Sequence, residues 1–292
     1  MTIADERSAR AGDGRSAARA SDPDVAARLD TALDAVRAST AATLAWFRNP
    51  DLGVEVKADN SPVTIADRAA EEVLRGHLLR AWPDDGFLGE ESGAAVGRSG
   101  FEWIVDPIDG TKSFNRGVPL WATLVGCRRG GQGVLGVIAI PALDESVYAA
   151  RGGGAWHVER GGVATPARVS RRGVLATALV TTSDFTSFGK RRDEAAGRAS
   201  RGALEQACQV ARTWGDGYGY LLVATGRAEV MVDPVMNPWD AAAVEPVIAE
   251  AGGRFTDWLG EPRIDGGDGV ATNGLVHDAV LALLADRPGP GR

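Results

Sequence analysis

Hydrophobic positions along the chain follow two periods, and their succession lays out the elements. Val25, Leu29, Leu33 and Val36 recur at helical spacing towards Phe47, with Asp22 or Asp24 placed to cap the start, which predicts one long amphipathic helix. A polar, hairpin-like segment over 54–64 follows, and a second helix runs through Ala69, Val73, Leu74 and Leu78 to Trp82-Pro83. Short β-prone runs then take over, at Phe87-Leu88 and at 103–105, 120–127, 133–140 and 146–150. The last three are rich in Val, Ile and Leu and separated by Arg/Gly and Pro/Asp turns, the pattern of an antiparallel meander. Gly131, Gly133 and Gly136 match a G-x-G-x-x-G string, but strand-like Val137-Ile138-Ala139-Ile140 follows where a dinucleotide site needs a helix. That string reads as a hairpin turn, and Gly152-Gly153-Gly154 as another.

Residues 160–172 are polar and turn-rich, which suggests a boundary between two halves, 23–165 and 166–292. In the second half, 175–181 and 229–233 read as strands, and 183–201 as a loop whose Lys190-Arg191-Arg192 is a solvated charge run. Residues 203–210 and a stretch through Leu221, Leu222 and Ala224 read as helical. Asn237 suits an N-cap, Pro238 the first helical position and Gly252-Gly253 the stop, with Pro246 predicting a kink between. A strand at 255–257 and a segment at 273–284 ending in a helix complete the pattern. Residues 1–22, rich in Ala, Arg, Ser, Gly and Asp, read as a disordered extension.

Composition narrows the chemistry. With 292 residues, 44% of them hydrophobic, the chain can bury a full core as one large domain or two closely packed ones. A net charge of −7 argues against a nucleic-acid partner held by a basic surface. No apolar run reaches the ~18 residues of a membrane span and no signal-peptide pattern is visible, so a cytoplasmic protein without a membrane partner is expected. Cys127 and Cys208 lie far apart and His77, His157 and His277 are scattered, which leaves thiolate or histidine zinc sites and a histidine triad without support. Any chemistry must be carried by carboxylates.

The densest group of them is Asp106-Pro107-Ile108-Asp109-Gly110-Thr111, at the end of the apolar run 103–105. Pro107 keeps Asp106 out of helix, and Gly110 permits a tight turn whose N–H groups can face an anion. Hard oxygen ligands and amide donors thus meet within a few residues, which suits Mg²⁺ bound together with a substrate phosphate. Asp, Pro and Gly also make ordinary turns, so the string alone leaves both readings open. Glu90-Glu91 follow another short apolar run. Asp240 falls in the first turn of a helix, as does Asp67, three residues after Thr64; the helix dipole accounts for an acid at either place.

Glu90-Glu91, Asp106-Pro107-Ile108-Asp109-Gly110-Thr111 and Trp239-Asp240-Ala241-Ala242-Ala243, in this order, resemble the inositol monophosphatase family of Mg²⁺-dependent, lithium-sensitive phosphatases. The resemblance spans about 25 to 285 and implies an α+β fold, the layered αβαβα sandwich of the inositol monophosphatase and fructose-1,6-bisphosphatase type. It implies metal ligation by Glu90, Asp106, Asp109, Asp240 and the Ile108 carbonyl, with two or three Mg²⁺ ions per site. Glu90 and Thr111 would position the attacking water, the Gly110 and Thr111 amides would hold the phosphate, and Asp67 with Thr64 would support the water from outside. A homodimer acting on a small phosphorylated metabolite is implied as well.

Segments 116–124, 212–220 and 233–240 are most similar to the histidinol-phosphate phosphatase branch, with Arg212, Asp216 and Asp233 on the substrate side. Two carboxylates beside the leaving group suit a cationic amine and an imidazole. The expected reaction is hydrolysis of L-histidinol phosphate; an inositol-1-phosphate or broad-specificity monoester phosphatase is the alternative. A two-acid glycosidase needs neither the Gly-Thr amides nor a third and fourth acid. A non-catalytic metal- or phosphate-binding regulator would keep the carboxylates without turnover.

Overall fold

Asp22 accepts a hydrogen bond from the Asp24 N–H and opens helix α1 (Pro23–Trp46). This computed structural model describes residues 20–284 apart from 51, 53, 57–61 and 192. Of the expected 1–22 extension, residues 1–19 lie outside that range, while Asp22 belongs to the fold and pairs with Arg129 at 2.7 Å. Strands β1 (Val54–Val56) and β2 (Pro62–Thr64) form the hairpin expected there. Thr64 then caps helix α2 (Ile65–Ala81) reciprocally with Asp67, two orphan N–H groups being satisfied at once.

An eight-stranded sheet follows, built from β3 (Gly86–Gly89), β4 (Gly93–Ala95) and β5 (Phe101–Asp109). After the short helix α3 (Thr111–Asn115) it is completed by β6 (Ala122–Arg129), β7 (Gln132–Ile140), β8 (Glu145–Ala150), β9 (Ala155–Glu159) and β10 (Thr165–Pro166). From β5 onward it is the antiparallel meander the pattern predicts, and β3 pairs parallel with β5. The G-x-G-x-x-G string is indeed a hairpin: Arg129 pairs with Gln132, and Gly130 and Gly131 take positive φ between them.

The second half is less regular in sequence and departs more from expectation. Residues 175–177 form a 3-10 turn, and only β11 (Leu179–Thr181) is strand. Most of the supposed loop 183–201 is helical. A 3-10 segment (Phe185–Lys190) leads to α4 (Glu194–Ala207), capped by Asp193, and strand β12 (Val210–Arg212) begins where that helix was expected to end. Arg191 is buried rather than solvated; it pairs with Asp268 at 2.9 Å and lies 3.7 Å over the Trp258 ring. Helix α5 (Gly217–Ala224), strand β13 (Val230–Asp233), helices α6 (Pro238–Ala241) and α7 (Val244–Glu250), strands β14 (Arg254–Thr256) and β15 (Gly269–Thr272) and helix α8 (His277–Leu284) finish the fold. A five-stranded sheet runs β12-β11-β13-β15-β14.

Alternation along the strands sorts the layers. Trp103, Val105, Val125 and Val137 face α1 and α2, whereas Ile104, Leu124 and Ile138 face α5 and α7. Met231 and Ala271 of the smaller sheet close on that same middle layer, and Val230, Val232 and Val270 point away towards α4 and α8. The result is a five-layer αβαβα sandwich. The expected break near Pro246 falls at Ala242-Ala243, because Pro246 has no N–H to offer the Ala242 carbonyl. There the helical backbone presses onto the larger sheet: a Cβ on Gly126 would meet Ala242, and one on Gly136 would meet Ala243. Those two bare strand positions set how deeply α6 can carry Asp240.

Candidate metal centre

Asp106 and Asp109 are three apart, so a regular strand would point them to opposite faces. Between them the pairing with β6 slips: Asp106 lies opposite Leu124 and Asp109 opposite Ala122, which leaves one extra residue on β5. The slip turns both carboxylates to the inner face. There α6 delivers Asp240, whose carboxylate is fixed by the Asn237 N–H at 2.7 Å. Ligand oxygens of Asp106, Asp109 and Asp240 all lie within 4.8 Å of one another. The Ile108 N–H donates to Asp106 at 3.0 Å, the Gly217 N–H donates to Asp109 at 2.5 Å, and the Ile108 side chain is anchored in an apolar cluster with Phe114 and Trp121.

The electrostatics are those that a cation would relieve. Burial first, then the neighbouring charges of Glu90, Asp109, Asp240 and Asp67, hold the Asp106 carboxyl well above the usual range. Burial and then Asp216 and Asp240 do the same to Asp109, and burial chiefly raises Asp240. Three crowded acids, Asp106 buried and Asp109 and Asp240 half-buried, would be relieved by a divalent ion, and an all-oxygen donor set suits Mg²⁺ rather than a softer metal. A second group, Glu145, His157 and Glu159, also brings its ligand atoms within 4.8 Å. His157 is thus not a scattered histidine; it bonds Glu145 at 2.8 Å, and the Arg227 guanidinium on Glu145 already supplies a positive charge there.

Beside the acids, Gly110 takes φ 86°, the left-handed turn its sequence context suggests, and opens α3. A Cβ at Gly110 would run into the Asp216 carboxylate, so these two residues are pressed together. The Thr111 hydroxyl lies 3.2 Å from the Ile108 carbonyl and 3.4 Å from Asp67 Oδ1. Asp67 is 1% exposed, and its other oxygen accepts from the Thr64 N–H at 2.7 Å and hydroxyl at 2.5 Å. Glu90 sits just beyond β3, and its charge is felt at Asp106, Asp240 and Asp67.

The centre opens on a cleft of about 160 Å³, lined by Asp109, Asp240, Asp216, Asp233 and, at the rim, Lys112 and Lys190. Asp233 is 6% exposed and already bonded three times, by the Ser183 N–H at 3.2 Å, the Ser183 hydroxyl at 2.6 Å and the Tyr220 hydroxyl at 2.8 Å. Burial pushes it up to about 6. Ser183 also bonds Asp216, whose carboxyl is raised by burial. Arg212 stands apart from the cleft: it is exposed at the edge strand of the smaller sheet, with its guanidinium on the Ala211 carbonyl at 2.7 Å. Ser183 carried no sequence signal, since a lone serine in a turn has none. Tyr220 ends the 212–220 segment and Lys112 follows Thr111, but only the fold aims them.

Comparison with known proteins agrees with this arrangement. Residues 24–287 match the model of the inositol monophosphatase family. A histidinol-phosphatase of Mycobacterium tuberculosis is 42% identical over 80% of this chain and 88% of its own. An inositol-1-monophosphatase of Mesorhizobium japonicum is 34% identical over 80% of this chain and 86% of its own. The crystal structure of the extragenic suppressor protein suhB from Bartonella henselae superposes with a TM-score of 0.79 at 28% identity, over 88% of this chain and 98% of that one. No helix among the described residues is long and apolar enough to cross a membrane. On the match from residue 24 to residue 287 and the shared five-layer fold, the chain belongs to the inositol monophosphatase family.

Proposed function

We propose that this chain is a Mg²⁺-dependent phosphomonoesterase that hydrolyses L-histidinol phosphate to L-histidinol and phosphate. The observation that carries the reading is the convergence of Asp106, Asp109 and Asp240 at the floor of a cleft whose wall holds two further acids, Asp216 and Asp233. Asp106, Asp109, Asp240, Glu90 and the Ile108 carbonyl would hold the metal. When bound, Mg²⁺ neutralises phosphoryl charge and makes a water acidic enough to attack. Asp67, with one oxygen bound to Thr64, turns its other oxygen towards Thr111. The Thr111 hydrogen is then engaged by Asp67 or Ile108, so that its lone pairs would face the water, and Glu90 would take the water's proton while the departing alkoxide gains one to leave as the alcohol. The Gly110 and Thr111 N–H groups, at the open start of α3, bind phosphoryl oxygens.

Asp216 and Asp233 give the leaving-group side a negative field, which favours an alcohol bearing an amine and an imidazole. The 42% identity to a histidinol-phosphatase against 34% to an inositol-1-monophosphatase supports the same choice. The second reading, an inositol-1-phosphate or broad monoester phosphatase, draws support from Asp233: three bonds to its own chain leave little acceptor capacity for a cation. A small phosphorylated metabolite as partner, two or three Mg²⁺ ions, a homodimer and a cytoplasmic setting belong to this proposal on family resemblance.

Phosphate release from histidinol phosphate, inositol-1-phosphate, fructose-1,6-bisphosphate and phosphoadenosine phosphate, with and without Mg²⁺, tests it. The expected result is a kcat/KM for histidinol phosphate well above the others and no turnover in EDTA. Equal rates on inositol-1-phosphate would overturn the substrate, and EDTA-resistant turnover the metal.

A further inference from the structure

Glu71 has no part in the mechanism above, yet the residue is 2% exposed and its carboxylate points at the turn that carries Glu90. Its Oε2 accepts from the Glu91 N–H at 2.8 Å and its Oε1 from the Ser92 N–H at 2.7 Å. On the other side of the same turn the Glu90 N–H donates to the Val105 carbonyl at 3.3 Å, tying the turn to β5. Glu90 is therefore held from before and from after. Gly89 completes the fit: a Cβ there would lie 2.5 Å from the Glu71 carboxyl, so only glycine lets the carboxylate slide under the turn. One helical turn earlier on α2, Asp67 performs the same kind of service for Thr111.

We infer that Glu71 is a positioning residue for metal binding: by holding the Glu91 and Ser92 amides it fixes the backbone that aims Glu90 at the metal centre. The inference rests on Glu90 being a metal ligand, as proposed above. A carboxylate is the right group for this place, because both its oxygens accept and the turn offers two N–H donors. Glutamine would turn an NH₂ against one of them, and so loses one bond and adds a donor–donor contact in a buried place. Groups that orient a metal ligand from behind are typically worth about 10- to 100-fold in metal affinity.

The test is Mn²⁺ binding to the full chain, read as free Mn²⁺ by electron paramagnetic resonance, for the wild type, Glu71→Gln and Gly89→Ala. Gly89→Ala attacks the same fit from the turn, so the two variants need not share a folding defect. Both should weaken Mn²⁺ binding by about 10- to 100-fold. In turnover assays the Mg²⁺ concentration for half activation should rise more than kcat falls. A merely structural role would lower the unfolding temperature and leave the affinity of the folded fraction unchanged. Wild-type affinity in either folded variant overturns the inference and leaves the phosphatase reading standing. A wild-type chain that binds no Mn²⁺ overturns both.

Discussion

Replacing Asp240 by Asn should stabilise the chain when metal is absent, and Mg²⁺ should remove most of that advantage. The variant keeps its cap, since an Asn oxygen can still accept from the Asn237 N–H. What it loses is one negative charge in a group where burial and neighbouring acids have raised Asp240 from 3.8 to about 7. That is roughly three pH units, or ~4 kcal/mol at ~1.4 kcal/mol per unit, part of it belonging to Asp106, whose side chain hydrogen-bonds Asp240. The folded-state value is raised, so in EDTA the contribution is fully present below about pH 4 and is lost as pH rises through about 7. In urea titrations with EDTA the wild type should therefore weaken from pH 5 to pH 8, and the variant should weaken less. At pH 8 the variant should be the more stable by about 2–4 kcal/mol. Mg²⁺ at about 100 times its dissociation constant adds ~2.7 kcal/mol to the wild type. The variant, short of a ligand, should gain little of that. If Asp240→Asn is no more stable than the wild type in EDTA at pH 8, or gains equally from Mg²⁺, the assignment of these acids to one cation site fails.

Asp106→Asn should keep the turn, because its oxygen can still accept from the Ile108 N–H, and lose turnover by several orders of magnitude in a phosphate-release assay. Gly110→Ala should cost at least ~1–2 kcal/mol for the left-handed backbone and push Asp216 away, lowering kcat, whereas Gly76→Ala, where nothing lies within 4 Å, should do neither. Asp233→Ala should lower the ratio of kcat/KM for histidinol phosphate over inositol-1-phosphate. Because it orphans the Tyr220 and Ser183 hydroxyls, it should also cost ~2–4 kcal/mol in urea unfolding. An unchanged ratio with the expected loss of stability would make Asp233 a brace rather than a reader of the substrate.

That last contrast shows where sequence reasoning stops. Asp106 and Asp109 are legible because their neighbours are forced: Pro107 bars helix, and Gly110 alone accepts φ 86°. Asp67 and Asp240 are legible from the chain only as first-turn acids that a helix dipole favours; the family resemblance marks them as site residues, and the fold fixes each as the third residue of a capping box. The first half of the fold is legible because its strands alternate and its turns carry glycine. The second half is harder, because α5 is apolar all round, being packed between two sheets, and offers no face to read. Whether Asp233 is free for a substrate depends on Ser183, fifty residues away in sequence, and on Tyr220 from the helix before it. No local rule contains that pairing. Arg191, in a run of basic residues, is likewise buried because Asp268 and Trp258 come from elements more than sixty residues on. Charges that answer to their own turn can be assigned from the chain. Charges that answer to a partner across a layer need the fold, and on the substrate wall of this cleft Asp233 is one of those.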